Sequence, residues 1–154
     1  MADLEESPSV YQYRHTQVGW VILGVMAGVG VLVAPRLPGG GTGVPGGPLV
    51  VVLALVALLF STLTVEVDAE AIRLRFGIGL VRKRIGLAEV RSWQAVRNPW
   101  YRGWGIRWIP GGVLWNVSGF DAVELVLADV RRVRIGTDEP AALVSAIDRA
   151  THRE

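Results

Sequence analysis

Two apolar stretches dominate the first half of the chain. Residues 18–34 and 49–65 carry no charged side chain. With Thr16, Gln17 and Pro48 as extensions, each approaches the ~20 residues that cross a hydrocarbon core of roughly 30 Å at 1.5 Å per residue. A helix apolar on every side needs a large protein to cover it, and the rest of this chain is too short to cover two. The pattern therefore predicts a transmembrane hairpin at 16–65, with spans at 16–34 and 49–65 and a Gly/Pro loop at 35–48. A tail at 1–15 precedes it, a domain at 64–150 follows, and a tail at 151–154 ends the chain.

From Leu63 onward the period changes to two. Leu63, Val65 and Val67 alternate with Thr64, Glu66 and Asp68, a turn follows at 68–70, and Ile72, Leu74 and Phe76 alternate with Arg73 and Arg75. That is a β-hairpin with one buried face. Further strand-like stretches lie at 81–85, 90–96, 105–109, 113–117, 122–128 and 131–136, divided by Gly, Pro or Asp turns. Short strands at such spacing predict an antiparallel roll or barrel. Asp138 is placed as an N-cap, Glu139 and Pro140 suit a first helical turn, and Leu143, Ile147 and Ala150 share one face of a closing helix.

Residues 62–150, with Trp104-Gly105-Ile106-Arg107, Asn116-Val117-Ser118-Gly119 and the run from Arg134 to Pro140, resemble the pleckstrin-homology-like (PH-like) domains of small bacterial membrane proteins. The resemblance implies an α+β membrane protein: an N-terminal two-helix transmembrane hairpin, then a PH-like antiparallel β roll capped by one C-terminal α-helix. It implies a membrane address and no settled activity. Eight strand-like stretches stand where such a domain has seven.

Composition narrows the function. Of 154 residues, 51% are hydrophobic and 19% charged, against about 25% charged in an ordinary globular domain. Cysteine is absent, which excludes disulfides, thiolate metal sites and cysteine nucleophiles. His15 and His152 are the only histidines, so no metal centre or cofactor is expected. An acidic tail with Asp3, Glu5 and Glu6 does not suit a signal peptide. Gly41 to Gly46 match GxGxxG without a preceding strand, an accidental match. Gly24 and Gly28 form a GxxxG pair whose expected partner is the second span of the hairpin, with a homodimer as the alternative.

Net charge is only +2, but Arg73, Arg75, Arg82, Lys83 and Arg84 crowd the segment after the second apolar stretch. The positive-inside rule then puts both termini on the cytoplasmic side of an inner membrane. It also keeps the sequon Asn116-Val117-Ser118 from the glycosylation machinery.

An up-and-down meander of the first four strands brings two segments to the membrane-facing end. One is Arg82, Lys83 and Arg84 with the turn holding Ile78 and Leu80; the other is Arg97, Trp100, Tyr101, Arg102 and Trp104. Indole and phenol rings favour headgroup layers, and basic residues favour anionic ones. Trp93, Trp108 and Trp115, in strands, are mostly expected in the core. The expected function is a non-catalytic, membrane-anchored module binding anionic lipid headgroups or a protein; the alternative is an accessory or scaffold subunit of a membrane complex, or a homo-oligomer. Nucleic acid is not expected as a partner, since the domain from Glu66 onward is only weakly basic. No enzyme is expected either: Glu66, Asp68 and Glu70 bracket a hairpin turn, Asp121 and Glu124 flank a strand start, and Ser118 has no nearby histidine in sequence.

Overall fold

Period-two alternation becomes two β-sheets. The computed structural model describes residues 13–33 and 47–152. Tyr13–Val18 (β1), Thr62–Val67 (β2), Ala71–Phe76 (β3) and Val81–Gly86 (β4) form one antiparallel sheet in that order. The second sheet contains Val90–Arg97 (β5), Gly105–Ile109 (β6), Gly112–Asn116 (β7), Asp121–Leu127 (β8) and Arg132–Gly136 (β9). Its order is β5-β8-β9-β7-β6, and β7 runs parallel to β9.

The inner faces of the sheets make the core. Leu63, Val65, Val67, Ile72, Leu74 and Phe76 meet Trp115, Val123, Leu125, Leu127, Val133 and Ile135. Helix Pro140–Thr151 packs Leu143, Ala146, Ile147 and Ala150 onto the same cluster, as the spacing of its apolar residues anticipates. Asp138 is not its cap. The N-cap is Glu139, which makes no side-chain cap bond, while Asp138 accepts a hydrogen bond at 2.6 Å from His15 on β1.

Helices Trp20–Val33 and Gly47–Phe60 (α1 and α2, the C-terminal helix being α3) interrupt the β1–β2 hairpin. Val18 still pairs with Thr62, and the Gly19 amide donates to the Ser61 carbonyl at 2.6 Å. Phe60 carries α2 into the core: its ring lies 5.7 Å from Phe76, which lies 5.6 Å from Trp115.

Three expectations are corrected. Each of α1 and α2 has 14 residues, about 21 Å at 1.5 Å per residue against a core of roughly 30 Å. Among the described residues no helix is long and apolar enough to cross a membrane. Thr16 and Gln17 belong to a strand, as do residues 62–65, so the sequence that was to lengthen the spans is already committed to backbone pairing. The transmembrane hairpin therefore falls, and with it the multi-pass inner-membrane location and the orientation drawn from flanking charge. The PH-like assignment falls too. The chain has nine strands among its described residues, one of them ahead of the helices, and a parallel β7–β9 pair that an all-antiparallel roll lacks. Of the expected tail 1–15, residues 13–15 belong to β1 and the rest lie outside the described residues; of the expected loop 35–48, residues 47–48 belong to α2 and the rest, with the GxGxxG match, lie outside them as well.

Candidate functional site

Strand direction brings the functional candidates to one end. β1 stops and β2 starts where the helices leave, so the turn between β3 and β4 lies there as well. Gly77 seals this junction. Its amide donates to the Thr62 carbonyl at 2.9 Å, its φ is +51°, and a Cβ would stand 2.2 Å from the Leu58 carbonyl oxygen. Only glycine meets both conditions. The turn after it exposes Ile78 and Leu80.

The loop after β5 reaches the same end. The Asn98 amide donates to the Phe120 carbonyl at 2.6 Å, and Trp100–Arg102 forms a short 3-10 turn. Trp100 is 78% and Tyr101 68% exposed, with their rings edge to face at 6.2 Å. Trp104 is half-buried and borders a cleft of about 480 Å³ shared with α1 and α2. The opposing faces of the two helices are half-buried, but Val50, Val51 and Val52 are successively exposed, so more than half of each turn of α2 faces outward. Trp20, Val25 and Val31 do the same on α1.

The basic candidates separate. Arg82 sits at the helix-bearing end, where its Nε donates to the Gly79 carbonyl. Lys83 lies on the opposite face of β4, because side chains alternate. Arg84 is directed to the far end, where it meets Glu70 at 3.4 Å. The run 82–84 is thus not one patch. Arg97 approaches Asp121 at 4.0 Å, and Arg102 has a buried Nε with no acceptor among the described residues. Gly24 and Gly28 take no part in the pairing of α1 with α2, since a Cβ on either would meet nothing within 4 Å.

Two features escaped the sequence reading. Arg107 joins the site by donating from Nε to the Trp104 carbonyl at 3.2 Å. Trp108 is 90% exposed on β6, which forms a free edge of its sheet among the described residues. Trp115 is buried and Trp93 half-buried, its indole N–H donating to Asp148 at 2.7 Å.

The acidic residues hold structure. Asp68 Oδ1 accepts from the amides of Glu70 and Ala71 at 2.8 and 2.7 Å, while Arg73 meets Oδ2 at 3.0 Å. Glu66, 1% exposed, is bound by Arg75 at 2.5 Å and approached by Arg14 at 3.4 Å. A second cleft, of about 320 Å³, lies beside Gln17, Ser118, Asp121 and Asp138. Among the described residues no group of three His, Cys, Asp or Glu side chains could hold a metal ion. Asn116 of the sequon is 1% exposed and its amide nitrogen donates to the Gly119 carbonyl at 3.2 Å, so burial withholds it whatever the orientation of the chain.

No family model and no curated protein matches the chain.

Proposed function

We propose that the protein is a non-catalytic binding module whose helix-bearing end docks onto a lipid surface, entering the apolar layer without crossing it. The observation that carries this reading is the gathering of exposed apolar and aromatic groups at that one end: the outward faces of α1 and α2, Ile78 and Leu80, and Trp100 with Tyr101. Helices of 10–14 apolar residues suit burial in a core or an interfacial position, and among the described residues nothing covers the outer faces of these two. Trp and Tyr favour the headgroup level, where Arg82 and Arg102 meet anionic groups.

Vesicle flotation of the full chain tests it. The protein rises with vesicles rich in phosphatidylglycerol, and replacing Trp100 and Tyr101 by Ser lowers the floated fraction. Replacing Arg82 and Arg102 by Gln weakens flotation about tenfold or more, at ~1 kcal/mol per basic residue, and 1 M salt has the same effect. A chain that stays at the bottom of the gradient with every vesicle composition ends the proposal.

One observation favours a second reading, a scaffold subunit. The free edge of β6 exposes Ile106 and Trp108, the arrangement used for strand addition by a partner. Under that reading Trp108→Ser abolishes co-purification of a partner chain and leaves flotation untouched.

A further inference from the structure

We propose that the cleft between α1, α2 and the segment before β6 takes one acyl chain of an anionic lipid, with the headgroup at Arg107. This deepens the lipid-surface reading and rests on it. Ile22 and Met26 form one wall and Val56 and Phe60 the other, with Trp104 and Arg107 at one end. Ile22 and Met26 are one helical turn apart, as are Val56 and Phe60, so both walls are continuous apolar ridges.

Volume selects the occupant. The cleft holds about 480 Å³, within the 300–1,000 Å³ usual for small-molecule pockets. Two turns of a docking helix 10 Å across need roughly 850 Å³ by simple cylinder geometry. A helix from a partner or a second copy would therefore stand largely outside the cleft, whereas a single hydrocarbon chain fits within it.

Charge and unmet polarity select the headgroup. Among the described residues Arg107 is the one charged residue lining the cleft; it is exposed, with one guanidinium N–H on the Trp104 carbonyl. No carboxylate lines the cleft among the described residues. Among the described residues the indole N–H of Trp104, which borders the cleft beside Arg107, is closed to water and has no acceptor. A buried donor left so costs about 1–3 kcal/mol, which a lipid ester oxygen recovers once the ring turns toward the cleft.

The full chain is bound to phosphatidylglycerol vesicles doped with a phosphatidylglycerol carrying a diazirine on its acyl chain, irradiated, and the adducts are mapped by peptide mass spectrometry. Adducts concentrate at residues 21–26, 56–60 and 103–105. Val56→Trp, which fills the cleft, removes them per vesicle-bound molecule; Met26→Trp, entering from the other wall, replaces it if that variant loses its native circular dichroism. Arg107→Gln lowers cleft adducts about fivefold with this probe and not with the phosphatidylcholine analogue. Adducts spread evenly over the outer faces of both helices, or cleft adducts indifferent to the filling substitutions, overturn the site while flotation keeps the lipid-surface reading intact. Equal labelling by the two probes overturns the anionic preference. A chain that fails to float removes the broader reading and this site with it.

Discussion

Glu124 faces outward from its sheet yet is only 4% exposed. Arg134 closes over it with an Nε–Oε2 bond of 2.6 Å and donates from Nη1 to Asn98 Oδ1 at 3.1 Å, tying the aromatic loop to β8 and β9. Arg134→Ala leaves buried Glu124 with Arg132 at 3.9 Å as its counter-charge and removes its short hydrogen bond, so it is expected to cost about 2 kcal/mol in chemical denaturation. The sequence reading put Glu124 at a strand start and found no chemistry there; alternation gave its strand, but not the cover that a distant arginine supplies. A second residue reports on the join between β1 and α3. Burial first, then the Glu139 carboxylate, push the Tyr13 hydroxyl from 10 to about 12. The folded state holds the neutral phenol more tightly than the unfolded chain does. This contribution is thus complete below pH 10 and disappears as pH rises from 10 through 12. Tyr13→Phe is expected to flatten the fall in melting temperature over that window; an unchanged slope contradicts the assignment.

At the scale of elements, Gly77 couples the helices to the first sheet. Gly77→Ala combines an unfavourable positive φ with a clash against the Leu58 carbonyl. It is expected to destabilise by about 2 kcal/mol and to raise hydrogen exchange at the Thr62 and Gly77 amides ahead of those in β8. Strands β2 to β9 were legible because alternation, turn residues and burial agree, as at Leu63, Val65 and Val67. β1 was not. Tyr13, His15 and Gln17 point inward, but His15 and Gln17 are polar and find their partners on Asp138 and Ser118, far along the chain. Apolar content misled at the other boundary: Leu63 and Val65 look as much like helix as strand, and only the pairing with Phe76 and Leu74 decides. The aromatic loop was legible as a candidate site because its rings sit among Pro and Gly; Arg107, a cation inside a strand, carries no local mark that would have added it to the candidates.

Considered whole, the molecule is a two-sheet domain with a helical pair inserted into one β-hairpin. Replacing residues 20–60 by an Asn-Gly turn retains the Val18–Thr62 pairing and suits a tight hairpin. The shortened chain is expected to keep its far-ultraviolet β signal and cooperative unfolding while losing flotation; collapse of the sheets would mean that α2, through Phe60, is part of the core rather than an insertion. The insertion also bears on the order of assembly. Thr16 and Thr64 share a hydrogen bond of 2.9 Å although they are 48 positions apart. Closing so long a loop costs about 3 kcal/mol more than closing a two-residue turn, and a helical pair already in contact removes most of that difference. Early contact between α1 and α2 therefore sets the pace at which the first sheet closes, and a substitution that loosens the helical pair is expected to slow folding more than it speeds unfolding.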